Sequence, residues 1–316
     1  GARSARASIS ATKGAPSSAA KWSRSPKVCP GRTSIARTAA SVTSELLRRR
    51  IAALRASAPP ASAKPKTATA SSEETPSARA AASPGQAAEG ADVIVTMLPT
   101  SAIVAKALFA EDGAASRFKP GAVVVEMSSG VPAQTVEIAA KVAERGGRLI
   151  DAPVSGGVER AKTGELAIMV GGEDDAFRVA EPVLQTMGKS MRVGAVGAAH
   201  AMKALNNLVS AGGFLIGVEA MLIGARFGLD PAVMVDVLNA STGMNNSTQK
   251  KFKQFVLSRK FDAGFGLDLM VKDLGIALSV AKDTDTVAPF AALCRDLWAG
   301  AQKTLGPGQD HTAVAK

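Results

Sequence analysis

Lys203, Asn206 and Asn207 stand close together in a largely apolar run that reads as a helix over residues 198–227. Spacings of i, i+3 and i+4 put them on one helical face. A lysine withdrawn from water with no carboxylate within a turn is costly unless it has a task. Desolvation also lowers its pKa toward the range of a proton acceptor. The competing reading is a lysine that snorkels from the helix start, with the asparagines bonding nearby backbone. A second constellation is DAPVSGG (151–157), at the end of a strand. Ser155 offers a hydroxyl, and Gly156 and Gly157 let backbone N–H groups approach an anion closely. A plain glycine-rich turn is the alternative. Lys272-Asp273 follows LDLMV (267–271) and reads locally as an exposed charge pair on an amphipathic helix. Met97-Leu98-Pro99 and Ser128-Ser129 each end an apolar run. His200 and His311 have no sequence partners that suggest a nucleophile relay, and no metal-ligand cluster is expected.

Elements must position these residues. A short capped helix is expected at 83–89, and apolar strands at 92–98 (DVIVTML) and 122–127 (AVVVEM). Helices follow at 101–109 and 132–145, a third strand starts at 148–151, and a fourth covers 166–170 (LAIMV). A helix at 174–187 and a short strand at 191–193 complete the series. Strands alternating with helices imply a largely parallel, doubly wound sheet. Such sheets bind ligands at the strands' carboxyl ends. Past Gly197 the strands stop. The helix at 198–227 is apolar nearly all round and is therefore expected to be buried. It ends at Gly228, and Asp230-Pro231 opens the next helix as N-cap and N1. Further helices are expected at 248–258, 268–284 and 288–303, with 304–316 as a flexible tail.

Charge divides the chain differently. Residues 1–90 hold 15 basic and 4 acidic residues, the whole of the net +11, and the rest balances 23 against 23. A phosphate-holding surface would need its excess on the folded part, so nucleic acid is an unfavoured partner. Two cysteines give no disulfide framework and suggest a reducing compartment, the cytoplasm first. The longest uncharged apolar stretch, residues 204–218, is shorter than a membrane span.

Taken together, these residues resemble the β-hydroxyacid dehydrogenase family. The resemblance rests on ADVIVTMLP (91–99), GAVVVEMSS (121–129), DAPVSGGVERAKTGELAIMVGG (151–172), GAVGAAHAMKALNN (194–207) and GFGLDLMVKDL (264–274). It implies an α/β Rossmann-like domain over 78–197, its N-terminal part incomplete. A long helix would join this to an all-α substrate and dimerisation domain over 198–303. It also implies hydride transfer between NAD or NADP and a small 3-hydroxy acid or its semialdehyde, in a homo-oligomer. By the same resemblance Lys203 exchanges the substrate proton and Asn207 orients it. Ser155, Gly156, Gly157 and Asn206 hold the substrate. Met97, Leu98, Pro99, Ser129 and Lys272 line the cofactor. Ser129 stands where the family usually has Thr. Asn206 stands where sugar-phosphate relatives usually have His, and Lys203 argues against the related imine reductases.

One departure is large. The family opens with a strand and G-x-G-x-x-G, whose helix N-terminus takes the pyrophosphate. Residues 1–77 are a basic, low-complexity segment without it; Gly1, Gly14 and Gly31 stand isolated. The segment is expected to be mostly disordered, apart from a short helix at 44–54. A mitochondrial transit-like leader is one account, with a mitochondrial location as its corollary. A shifted reading frame is the expected one, because a leader does not explain the missing glycine loop. A non-catalytic member of the fold, whose basic tail binds nucleic acid or an acidic protein, is the alternative function.

Overall fold

The computed structural model describes residues 81–316. The expectations for residues 1–77, the helix at 44–54 included, lie outside the described residues.

The α/β part begins with α1 (Pro84–Ala88), which has Pro at N1 and Ser83 accepting from Gln86 N as N-cap. β1 (Val93–Thr96) leads to α2 (Ser101–Phe109), capped by Thr100. β2 (Val123–Glu126) leads to α3 (Pro132–Glu144), which buries Thr135, Ile138 and Val142 at helical spacing. β3 (Arg148–Asp151), β4 (Val154–Ser155), α4 (Gly157–Thr163) and β5 (Leu166–Gly171) follow. α5 (Asp174–Met187) and β6 (Gly188–Gly194) close the sheet.

β1, β2 and β3 are mutually parallel, with Val93 opposite Val123 and Glu126 opposite Asp151. β5 runs antiparallel to β3 and β4, and β6 is parallel to β5. The antiparallel step departs from the simplest doubly wound reading, and for the β4–β5 pair the cause is length. Only ten residues separate β4 from β5, and a parallel crossover needs a dozen or more. α4 within that link buries none of its residues.

Alternate strand residues feed two cores. Val123, Val125, Ile150, Ile168 and Val170 pack on Ala176, Ala180 and Leu184 of α5. On the other face Val124 and Leu149 meet Val104 and Leu108 of α2 and Ile138 and Val142 of α3. Among the described residues β1 pairs only with β2. An apolar parallel strand is usually flanked on both sides, and here Val95 and Met97 remain exposed.

α6 (Ala198–Phe227) enters and leaves on left-handed glycines, Gly197 and Gly228, at φ 91° and 103°. It packs on β3 and β5 and on the later helices α9 (Leu267–Asp283) and α10 (Pro289–Leu305). Its length and composition would suffice to cross a membrane. The apolar pattern predicts a buried helix, and the structure corrects this in part. One side is buried, while Val209 (76 % exposed), Ile216, Ile223 and Phe227 form an uncovered apolar stripe at near-heptad spacing.

α7 (Pro231–Asn239) takes Asp230 as N-cap, as expected. The helix expected at 248–258 is broken. α8 (Asn246–Lys250) carries an Asn245/Thr248 capping box, and a π-helical turn (Phe252–Leu257) follows, burying Phe252 and Val256. The helical core gathers Phe214, Phe252, Leu267, Leu274 and Trp298, with Phe214 edge-on to Phe252 at 5.5 Å. The flexible tail expected at 304–316 is also corrected. A 3-10 turn (His311–Ala315) tucks His311, Thr312 and Ala313 into that core. Asp310 pins it by accepting from Gly264 N and Phe265 N, and His311 stacks on Trp298.

Candidate active site

The site is assembled where the carboxyl ends of β1, β2 and β3 meet the start of α6. Asp151, fully buried, caps α6 from outside the helix. Its Oδ1 accepts from Gly197 N and its Oδ2 from His200 N, both at 2.9 Å. A carboxylate there satisfies two of the N–H groups a helix start leaves open and complements its dipole. The first residue of DAPVSGG thus orients the helix that carries Lys203.

His200, one turn before Lys203, is buried among polar groups from three elements. Its Nδ1 lies 2.7 Å from Thr135 Oγ1, and its Nε2 3.0 Å from Glu126 Oε2. The Nε2 contact has ion-pair distance without hydrogen-bond alignment. Burial acts to raise the Glu126 pKa, but His200 and Ser128 outweigh it and hold the carboxyl below its ordinary value. Glu126 Oε1 accepts from Ser128 N at 2.8 Å, and Ser128 Oγ accepts from Leu98 N at 2.9 Å. Gly130 is required here, because a Cβ would come within 2.8 Å of the His200 ring. His200 therefore has partners that the sequence did not reveal.

Lys203 is half-buried. Burial pulls its ammonium below the ordinary lysine range; Asp273 pushes it back up, and Lys272 adds to the lowering. Asp273, from α9, is almost fully buried, and burial raises its carboxyl pKa against the pull of Lys272, Asn207 and Lys203. Asn207 Nδ2 donates to Asp273 Oδ2 at 2.6 Å, and Asn206 Nδ2 donates to Asn207 Oδ1 at 3.1 Å. Lys272 is not on an open face. Its Nζ donates to Ser129 O at 3.1 Å and Pro99 O at 3.3 Å and lies 3.6 Å from Asp273 Oδ1. The exposed charge pair of the local reading is in fact a seam between α9 and two strand-end loops.

The structure thus brings together Lys203, Asn206, Asn207, Lys272, Ser129 and Pro99, and adds Asp273. Leu98 is half-buried and Met97 exposed beside them. Ser155, Gly156 and Gly157 are not joined to this group by any hydrogen bond among the described residues. Gly156 and Gly157 are exposed at φ 137° and 70°, backbone that favours glycine. Asp273 had a legible signal: Leu267, Met270, Leu274 and Ala277 form the buried stripe of α9, and Asp273 falls within it. Glu126 likewise sits inside a wholly buried strand.

For a dinucleotide the described residues fit one end. Exposed Met97 and Pro99, with the Ser129 carbonyl, stand at strand carboxyl ends, where such sheets bind ligands. Among the described residues no strand is followed by G-x-G-x-x-G, so no pyrophosphate cradle is supplied there.

An α/β sheet feeding a long helix into a helical domain, with a half-buried lysine at the junction, is the architecture of NAD(P)-dependent hydroxyacid dehydrogenases. Residues 60–197 match the family model described as the NAD binding domain of 6-phosphogluconate dehydrogenase. Residues 197–316 match the one described as NAD-binding of NADP-dependent 3-hydroxyisobutyrate dehydrogenase. The chain is 37 % identical over 231 residues to 2-(hydroxymethyl)glutarate dehydrogenase of Eubacterium barkeri, covering 72 % of this chain and 76 % of that one. It is 36 % identical to the mitochondrial 3-hydroxyisobutyrate dehydrogenase of Mus musculus, covering 69 % and 67 %. The solved 3-hydroxyisobutyrate dehydrogenase of Mycobacterium tuberculosis with L-serine superposes with a TM-score of 0.67 at 32 % identity, covering 72 % and 80 %. The chain belongs to the β-hydroxyacid dehydrogenase family, whose members transfer hydride between NAD or NADP and small hydroxy acids.

Proposed function

We propose that Lys203 is the proton-exchanging group of this site and that the substrate is a small 3-hydroxy acid or its semialdehyde. The observation that carries the reading is the half-buried Lys203 next to an Asp273 fixed by Asn207, with burial pulling its ammonium below the ordinary lysine range. A bound nicotinamide supplies the hydride acceptor or donor. In oxidation the neutral Lys203 amine takes the hydroxyl proton; in reduction its ammonium returns a proton to the carbonyl oxygen. Asp273 keeps the ammonium accessible by opposing desolvation, and Asn207 holds Asp273 in place. Asn206 is one turn from Lys203 on the same face and is assigned to the substrate. Ser155, Gly156 and Gly157 are assigned to its carboxylate, through one hydroxyl and exposed backbone N–H groups. Met97, Leu98, Pro99 and Ser129 are assigned to the nicotinamide wall, which Lys272 ties to α9. The uncovered stripe Val209, Ile216, Ile223 and Phe227 supports self-association through α6.

The test uses the full chain, first titrated with NADH and NADPH by fluorescence and thermal shift. Oxidation of 3-hydroxyisobutyrate is then followed by nicotinamide absorbance. Turnover abolished by Lys203→Ala in a variant with unchanged circular dichroism supports the reading. Turnover retained in Lys203→Ala overturns it.

A further inference from the structure

Hydride and proton leave neighbouring atoms of one substrate, so the groups that take them must keep a fixed separation. Here those groups sit on different elements: the loops after β1 and β2 are assigned to the nicotinamide wall, and Lys203 is on α6. One tie between the loops and the helical domain is Lys272, which reaches Pro99 O and Ser129 O from α9. A second runs through Glu126 and His200. Glu126 ends β2, and its Oε1 accepts from Ser128 N at 2.8 Å. Ser128 Oγ in turn accepts from Leu98 N at 2.9 Å, across in the loop after β1. The other carboxylate oxygen of Glu126 lies 3.0 Å from His200 Nε2, one turn before Lys203. On its far side His200 Nδ1 lies 2.7 Å from Thr135 Oγ1 of α3. Thr135 Oγ1 is tied to Val131 O at 3.0 Å, and Val131 N donates to Ser101 Oγ at 3.0 Å, at the start of α2. The β1–α2 connection is thus held at Leu98 and at Ser101, and both lines converge on His200. The two central side chains are withdrawn from water, His200 at 0 % and Glu126 at 3 % exposure. An apolar pair of the same volume often serves stability equally well, and the rest of β2 is Val-Val-Val. A carboxylate and an imidazole in that place fix directions, which apolar packing does not.

We propose that Glu126 and His200 are positioning residues of the reaction, which together brace the loops assigned to the nicotinamide wall against the turn of α6 that carries Lys203. This rests on the proposed role of Lys203. Neither residue touches the reacting atoms; each acts through the groups it holds.

The Leu98 amide reports on the brace, because Ser128 Oγ holds it. Deuterium exchange of the full chain without nucleotide, read by mass spectrometry over peptides covering residues 94–103, is the first measurement. His200→Asn keeps an amide toward Thr135 and stops short of Glu126, whereas His200→Gln reaches Glu126. His200→Asn is expected to speed exchange at 94–103 by ~5-fold, about the worth of one net hydrogen bond. Peptides around Trp298, in the helical core, should keep their rate; a general loss of stability would move both. His200→Gln restores the wild-type rate. In turnover of 3-hydroxyisobutyrate, His200→Asn should lower kcat by ~10–10²-fold with KM held within ~2-fold, and His200→Gln should recover most of it. If His200→Asn does not fold, Glu126→Gln/His200→Leu takes its place, since it removes the buried charge together with the ring. Exchange at 94–103 that is unchanged in the breaking variant, or raised equally around Trp298, overturns the brace. So does a KM that rises as much as kcat falls. Turnover retained in Lys203→Ala, with exchange at 94–103 still raised by His200→Asn, overturns the reading of Lys203 and leaves the brace standing.

Discussion

Replacing Asp151 with Asn changes one atom and should loosen the start of α6. The carboxylate receives Gly197 N on one oxygen and His200 N on the other. Asn keeps one acceptor and turns an NH2 group toward a backbone N–H, so a buried donor faces a donor. Loss of an N-cap contact costs about 1 kcal/mol. Loss of the charge at a buried helix start costs a further ~1–2 kcal/mol, and an unsatisfied buried donor ~1–3 kcal/mol. Relief from burying a carboxylate works the other way, as does the removal of its repulsion of nearby Glu126. The net expected loss is ~2–4 kcal/mol, and at 2–4 °C per kcal/mol for a body of this size the melting temperature falls by ~5–15 °C. Urea unfolding followed by far-ultraviolet circular dichroism measures it. Asp175→Asn, at an exposed pair with Arg148, is the control and should cost no more than ~0.5 kcal/mol. An Asp151→Asn variant within ~0.5 kcal/mol of the parent refutes the capping argument, since the sum above leaves no room for that outcome.

Other outcomes follow from the same structure. Because the Lys203 pKa lies below the ordinary lysine value, oxidative turnover should rise with pH through that pKa and reductive turnover should fall; pH profiles in both directions check this. Lys203→Met should lower turnover by ~10²–10⁴-fold, the usual worth of a general base. Ile216→Glu, which puts a charge on the uncovered stripe of α6, should shift any self-association toward monomer by at least ~10-fold, because a two-fold interface meets the charge twice; light scattering after gel filtration reads it. Asp310→Ala should cost ~2–4 kcal/mol, because four donors lose their acceptor. The Asp310 pKa is held below its ordinary value chiefly by His311 and Thr312, against burial, which raises it. Its contribution is therefore complete above about pH 4 and is lost only as the pH falls through the lowered value. Unfolding of Asp310→Ala at neutral pH and in strong acid separates the two regimes.

Much of the fold was legible because its punctuation is local. The bounds of α2, α5 and α6 coincide with the expected ranges. A Thr cap opens α2, Gly188 and Gly228 stop α5 and α6, and each signal acts within a turn of the residues it bounds. What was not legible depends on distant partners. The spacing of α9 marks Asp273 as buried but not what it meets, because Asn207 and Lys203 lie on another helix about seventy residues earlier. His200 finds Thr135 and Glu126 on α3 and β2 in the same way. The tail misled because its sequence is short, polar and glycine-flanked, while its order comes from Asp310 and from stacking on Trp298. The apolar run of α6 announced a helix but not which side would be covered, because composition cannot tell a buried face from one awaiting a partner.

The same distinction sharpens what the DAPVSGG run does. Its glycines suggested an anion loop, and their exposure and positive φ leave backbone N–H groups free for that use. Its aspartate does something no local pattern shows: it holds α6 by two backbone N–H groups while β3 holds the aspartate. A substrate carboxylate bound by the loop and a proton exchanged at Lys203 would then be referenced to one rigid strand end. A displaced loop would displace the helix with it. On this reasoning Asp151→Asn should raise KM and lower kcat together in an active form, since binding group and proton carrier lose their common anchor. A variant that is destabilised but keeps both parameters would show that the cap serves stability alone.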